Sequence, residues 1–352
     1  MEKISLDEYD IYVGNFWETF NLLFEKIDYS RVAILVDENT RQFCLPKLLS
    51  KTKISDPLII ETKSGELNKN IQTCSDIWQQ MIENQIDRNG LLINLGGGVI
   101  GDMGGFCAST YKRGIDFIQM PTTLLSQVDS SIGGKLGIDF GEVKNSIGLF
   151  QNPQAVFIDP DFLETLSPRE IRSGFAEMIK HGLIKDETIW SKLKALENFE
   201  NVDWISLITP SLNIKKEIVE EDPLEKSIRK KLNFGHTIGH AIESFALENN
   251  QSVLHGEAIA AGMVCEAWLS TKKCNLTEEA LAILSDYILK TYSKLTIEES
   301  SFPQLLELMK NDKKNEGSTI NFTLLTRIGA SVINHSCEEE LIQESLKYYM
   351  KL

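Results

Sequence analysis

Between residues 31 and 160, short apolar runs rich in β-forming residues alternate with helical stretches. The runs are RVAILVDE (31–38), PLIIETKSGE (57–66), GLLINLGGG (90–98), IDFIQMPTT (115–123) and QAVFIDP (154–160), with the amphipathic SDIWQQMIENQ (75–85) among them. That rhythm is the sign of βαβ units on a parallel sheet. After DPDFLETLSPRE the strand signal fades. Apolar residues then recur at helical spacing in IRSGFAEMIKHGLI (171–184), ISLITPSLNIKKEIVEE (205–221), HTIGHAIESFALE (236–248) and GEAIAAGMVCEAWLSTKK (256–273). One late stretch, STINFTLLTRIGASVI (318–333), reads as a hairpin. The pattern predicts an α/β, Rossmann-like parallel-sheet domain over residues 1–160 and a mostly α-helical domain over 161–352, with the boundary near Pro160.

Glycine placement adds chemistry to that outline. In LLINLGGGVIGDMGGF, Gly96, Gly98 and Gly101 form a G-x-G-x-x-G frame directly after an apolar strand and at the start of an expected helix. Glycines there let backbone N–H groups approach a pyrophosphate, and the helix start adds partial positive charge. The alternative is a purely structural turn. The acidic residue expected about 20 positions further on is Asp116, which opens a strand; Asp37, ending AILVD, is better placed for a ribose at a sheet edge.

Composition narrows the partners. The chain has 352 residues, enough for two domains, and 42% hydrophobic with 25% charged residues is ordinary for a globular protein. A formal charge of −15 argues against nucleic acid or an anionic membrane as partner. No apolar run approaches the roughly 20 residues of a membrane span, and no basic segment followed by an apolar one opens the chain, so a cytoplasmic location is expected. The six cysteines are scattered without a C-x-x-C pair, which fits free thiols in a reducing compartment.

His236 and His240, two of only five histidines, would share one face of a helix. Without the internal Glu of H-E-x-x-H, a zincin reading fails. His255 could add a third nitrogen and Glu177 an oxygen, and three protein ligands with an open position make a catalytic zinc geometry. Spacing alone leaves a metal role and a hydrogen-bonded core role equally open. Around these lie Lys180, Lys215, Arg229, Lys135, Lys144, Arg113 and Lys313. In so acidic a chain, cations beside Gly and Asn turns suit a phosphorylated, carboxylated substrate.

The segments GGGVIGDMGGFCASTYKRGIDFIQMPTTLLSQVDSSIGGK, KNSIGLF, LSPREIRSGFAEMIKHGLI, RKKLNFGHTIGHAIE and LHGEAIAAGM closely resemble the 3-dehydroquinate synthase family. The resemblance runs from AILVDENT to NDKKNEG. It implies metal ligands at Glu177, His236 and His255, with zinc, or cobalt in its place, as the ion. It implies NAD contacts at Asp37, Glu66, Lys69, Gly98, Val99, Ile100, Gly101, Asp102, Thr122, Thr123, Lys135 and Lys144. Substrate contacts are implied at Asp129, Lys135, Asn145, Lys180, Lys215, Arg229, Asn233, His240 and Lys313, with Lys314 as an alternative to Lys313. A homodimer is implied as well, in which Arg113 reaches the neighbouring subunit's site. Leu136 and Asp139 depart from the Thr and Asn that many members carry, and the spacer from His236 to His255 is a few residues longer than in some relatives.

The implied reaction converts a sugar phosphate, 3-deoxy-D-arabino-heptulosonate 7-phosphate, into 3-dehydroquinate and phosphate, a lyase step of the shikimate pathway. NAD is consumed and regenerated within each turnover. Competing readings are a sister sugar-phosphate cyclase, an NAD- and metal-dependent polyol dehydrogenase of similar build, and a catalytically dead binding protein. Lys215, Arg229 and Asn233, retained at the implied carboxylate positions, weigh against the cyclase.

Overall fold

The computed structural model describes residues 1–141, 143–310 and 320–352. These form two compact units, Met1–Ser167 with Asp203–Lys216, and Pro168–Val202 with Glu217–Leu352.

The first unit runs β1 (Glu2–Ser5), β2 (Asp10–Val13), α1 (Trp17–Lys26), β3 (Val32–Asp37), α2 (Glu38–Phe43), α3 (Leu45–Lys51), β4 (Leu58–Thr62), α4 (Ile71–Glu83), β5 (Leu91–Gly96), α5 (Gly98–Thr110), β6 (Asp116–Pro121), β7 (Lys135–Phe140), β8 (Val143–Phe150) and β9 (Ala155–Ile158). Seven strands make one sheet in the order β1-β2-β9-β6-β5-β3-β4. Every pairing in it is parallel except β1 with β2. Because successive side chains on a strand face opposite ways, Ala33, Leu35 and Leu92 fill one core, while Ile34, Val36, Leu91 and Ile93 fill the other. Full burial of each large side chain contributes about 1.5–3 kcal/mol. The order turns back between β3 and β5, so the ends of those strands, Asp37 and Gly96, lie at the switch point where α/β sheets take their ligands.

Two elements fall outside the alternating rhythm of the sequence. The β1–β2 ribbon supplies an antiparallel edge. β7 and β8 pair as a separate antiparallel hairpin, with β8 exposed along most of its length. β2 also pairs in parallel with β9, but it is four residues long with only alternate residues buried, and β8 is mostly exposed, so neither element carries the long apolar run by which the other strands are read.

The second unit contains α6 (Pro168–Lys185), α7 (Glu187–Lys194), the last turn of α8 (Trp204–Glu221), α9 (His236–Glu248), α10 (His255–Lys273), α11 (Glu278–Thr291), α12 (Phe302–Lys310), the hairpin of β10 (Asn321–Arg327) with β11 (Ala330–Ser336), and α13 (Glu339–Lys351). The late hairpin is thus where the sequence predicts one. α10 is buried nearly all round and packs on α6, α9, α11 and α13. Small residues make this possible. A Cβ on Gly256 would sit 2.0 Å from the Ser173 carbonyl oxygen, and one on Gly262 would sit 2.0 Å from that of Gly235. The backbones of α6, α9 and α10 therefore approach as closely as only glycine permits.

Because the atom opposing Gly262 is backbone and cannot rotate away, Gly262→Ala is expected to cost about 1–3 kcal/mol or more. A lowered urea midpoint in equilibrium unfolding checks this.

Candidate metal centre and nucleotide loop

In the helical unit the predicted ligands converge. Glu177 and Lys180 sit one turn apart on α6, both buried, and the Lys180 ammonium pairs with Glu177 Oε2. The other carboxylate oxygen, Oε1, is buried and makes no hydrogen bond among the described residues. It lies 3.4 Å from His236 Nε2 and 3.5 Å from His255 Nε2. An ion bound tetrahedrally by bonds of about 2.1 Å separates its donor atoms by roughly 3.4 Å, so the spacing fits one such ion.

The second ring nitrogens fix the tautomers. His236 Nδ1 donates to the Phe234 carbonyl at 3.1 Å, and His255 Nδ1 donates to Glu243 Oε2 at 3.1 Å. Neither acceptor can donate, so each imidazole keeps a proton on Nδ1 and, when neutral, presents Nε2 as a lone-pair donor. This is how metal-binding histidines are held. The donor set of one carboxylate and two imidazoles fits zinc or cobalt.

Electrostatics distinguish the two rings. Burial opposes charge on Glu177, but Lys180 and His236 hold its carboxyl well below the usual range. Burial, with Lys180, depresses His236 from 6.5 to about 3, leaving it neutral. Burial also disfavours charge on His255, but Glu243 and Glu177 outweigh it and raise the ring from 6.5 to about 10.

His240 joins the cluster. Its ring centroid is 5.0 Å from that of His236 and 5.8 Å from that of His255. Donor atoms of the three histidines all fall within 4.8 Å of one another. Also in this unit, Arg229 is buried and donates to the Pro223 carbonyl at 2.6 Å, while Asn233 donates to Glu225 at 3.1 Å. Asp222 shapes that loop by accepting from the backbone of Lys226, Ser227 and Arg229.

In the α/β unit the glycine frame has its expected setting: Gly96 ends β5, and Gly98 and Gly101 lie in the first turn of α5. A Cβ on Gly96 would meet Ile100 at 2.5 Å. The turn thus leaves no space for a side chain there, and Gly98, Val99, Ile100, Gly101 and Asp102 form the helix start. Asp37 caps α2, accepting from the Thr40 N–H at 2.7 Å. Asp116 lies at the opposite end of the sheet, paired with Leu91 and bound to Tyr29 and Gln154, so it cannot serve this loop.

A polar cluster surrounds Lys69, which is only 3% exposed. Its ammonium reaches Asp102 at 2.7 Å, Asn145 Oδ1 at 2.6 Å and Glu66 at 3.7 Å. Burial raises the Asp102 and Glu66 carboxyls while Lys69 opposes the rise. Asn145, left-handed at φ 49, is held by its N–H donating to Asp139 at 2.7 Å. The Thr122 N–H donates to the Gly96 carbonyl at 3.0 Å, and Thr123 Oγ1 lies 2.9 Å from Ser126 Oγ. Lys215 pairs with Asp129 at 2.8 Å. Lys135 opens β7 and Lys144 lies on β8. Arg113 is exposed on a turn where Lys112, Arg113 and Gly114 all have positive φ, at 51, 72 and 109. Lys313 and Lys314 lie outside the described residues.

Sequence models of the family match from residue 59 to 315: residues 59–173 fit 3-dehydroquinate synthase N-terminal and residues 174–315 fit 3-dehydroquinate synthase C-terminal. A 3-dehydroquinate synthase of Parabacteroides distasonis is 45% identical over 325 residues, 92% of each chain. The chain belongs to the 3-dehydroquinate synthase family. Another member, from Clostridium acetobutylicum, is 39% identical over 90% of this chain and 89% of its own. The fold is shared more widely. A solved 2-epi-5-epi-valiolone synthase from Streptomyces hygroscopicus, with NAD+ and Zn2+ bound, superposes with a TM-score of 0.87 at 23% identity, covering 100% of this chain and 99% of its own. A 2-deoxy-scyllo-inosose synthase complexed with carbaglucose-6-phosphate, NAD+ and Co2+ gives 0.81 at 22% identity, covering 99% of each.

Glu243 and the Phe234 carbonyl were not among the residues marked in the sequence. A faint signal exists for Glu243, which lies seven residues after His236 and three after His240, on one helix face. The Phe234 carbonyl leaves no trace in residue identity.

Metal binding needs His255 neutral. In the metal-free protein its partnered charge stabilises the fold below about 6.5 and fades as pH rises through about 10. One proton should therefore be released per ion bound near pH 7.5, and affinity should rise between pH 6.5 and 9. Calorimetry in buffers of different ionisation enthalpy measures both.

Proposed function

We infer that this chain catalyses the 3-dehydroquinate synthase reaction, acting as a lyase on 3-deoxy-D-arabino-heptulosonate 7-phosphate. The reading rests chiefly on one observation: the unbonded Glu177 Oε1 faces two oriented imidazole nitrogens at 3.4 and 3.5 Å in a chain of this family. The reaction passes through oxidation at carbon 5, phosphate elimination, reduction, ring opening and intramolecular aldol closure. Bound NAD+ supplies a reversible hydride acceptor, and a zinc or cobalt ion supplies a Lewis acid that lowers the pKa of substrate hydroxyls.

The remaining work falls to the chain's own groups. Glu177, His236 and His255 hold the ion, and Lys180 fixes the carboxylate so that Oε1 stays turned to it. Lys180, Lys215, Arg229 and Asn233 bind the substrate carboxylate and ring oxygens. Lys135, Asn145, His240 and Lys313 bind the phosphate and its proton network, and Asp129 orients Lys215. The glycine turn receives the pyrophosphate of NAD, with Asp37, Glu66, Lys69, Asp102, Thr122, Thr123 and Lys144 around the rest. Because the leaving phosphate can take the carbon-6 proton itself, no strong protein base is needed.

We also propose a homodimer in a reducing, cytoplasmic setting. The β7–β8 hairpin exposes Phe140, Val143, Ile147 and Phe150, an apolar surface that a second copy would cover. Arg113 is exposed on a turn of positive φ values. All six cysteines are buried free thiols, and among the described residues no helix is long and apolar enough to cross a membrane.

With NAD+, zinc and the heptulosonate phosphate, the purified protein should release phosphate and dehydroquinate in equal amounts with no net NADH. Net NADH from a polyol, or no phosphate from folded, metal-loaded protein, would overturn the assignment. His236→Ala should lose the metal and turnover together. His240→Ala should keep the metal and lower kcat by about 10²–10⁴-fold, read by metal analysis alongside the assay.

A further inference from the structure

His255 is backed directly by the Glu243 carboxylate, whereas His236 meets only a backbone carbonyl. That carbonyl is not isolated. The Phe234 C=O and the Gly235 N–H belong to one planar peptide group, which is trans and so points its two polar ends in opposite directions. The Gly235 N–H donates to Glu266 Oε2 at 2.6 Å. The other oxygen of the same carboxylate accepts from the Ile238 N–H at 3.1 Å. Glu266, on α10, is fully buried, with relative exposure of 0%.

We propose that Glu266 is a positioning residue for His236, acting through the Phe234–Gly235 peptide, so that both imidazoles of the metal centre are backed by a carboxylate. The inference rests on the metal reading above. Two hydrogen bonds stand in series: the peptide N–H to the carboxylate, then the imidazole N–H to the carbonyl of the same peptide. Bonds linked in this way polarise one another, so a carboxylate on the N–H makes the carbonyl a stronger acceptor and His236 Nε2 a stronger donor. The same carboxylate fixes where α9 begins. Gly235, at φ 81, has no side chain to cap the helix, and its missing Cβ would lie 2.5 Å from Met263. Glu266, bonded on both sides of His236, holds the first turn against α10 in place of a local cap.

A cap alone would affect stability; a relay to the ligand must affect metal binding by the folded protein. The test compares wild type, Glu266→Gln and Glu243→Gln as full-length protein. It measures the zinc dissociation constant by competition with a chromophoric chelator, without NAD+ or substrate, at a temperature where urea unfolding shows each protein folded. Removing a direct partner such as Glu243 should weaken zinc about 10–100-fold, and Glu266→Gln should weaken it at least about tenfold, with NAD+ affinity unchanged. If Glu266→Gln lowers the urea midpoint but binds zinc as wild type does, the relay is wrong while the metal centre stands. If wild type itself binds no zinc, the metal reading falls and takes this inference with it. Should Glu266→Gln fail to fold, Glu266→Asp, one methylene too short to reach the Gly235 N–H as Glu266 does, replaces it: weakened zinc binding by the folded protein supports the relay, and wild-type affinity with lowered stability overturns it.

Discussion

A buried carboxylate sets the terms for the helical unit. Removing an ionised carboxylate from water costs several kcal/mol unless partners surround it. Glu177 is fully buried, so α6 must supply Lys180 one turn on, and two further helices must bring imidazoles to its other oxygen. Lys180 satisfies one oxygen and leaves the other to the nitrogens. The result is a donor set whose directions are settled before any ion arrives, with one proton still to leave His255.

Such closeness is possible only because the helix backbones nearly touch. Gly256 rests against Ser173 of α6, and Gly262 against Gly235 at the start of α9, with no space for a Cβ at either contact. His236 and His255 each stand at the first position of their helices, next to those contacts. Packing and the proposed metal ligands thus share the same stretches of chain, and Glu243 and Glu266 hang from the same two helices. In the α/β unit, glycine works by the same logic to a different end, clearing the loop at the switch point of the sheet for a phosphate-bearing ligand.

Much of this is written in local pattern. Long apolar runs mark β3, β4, β5, β6 and β9 because strands buried in a parallel sheet have no polar face to show. Gly96 announces a close backbone approach because a Cβ there would meet Ile100 at 2.5 Å, and Gly98 and Gly101 follow it into the first turn of α5. Spacing shows that His236 and His240 share a face but not which of them reaches the carboxylate, because that depends on where α6 and α10 lie. The pairing is legible only through the likeness of long motifs to a known family. The β7–β8 hairpin, the left-handed Asn145 held by Asp139, the carbonyl behind His236 and the distant Glu266 are contacts across the chain, and residue identity at one position carries no mark of them.

The most direct measurement is anomalous diffraction at the zinc edge from crystals of the zinc-loaded protein. The account predicts one fully occupied peak bonded to Glu177 Oε1, His236 Nε2 and His255 Nε2 at about 2.0–2.2 Å, with His240 unbonded and its neighbouring position open. A peak ligated by His236 and His240 together, or an ion that leaves Glu177 uncoordinated, would contradict it.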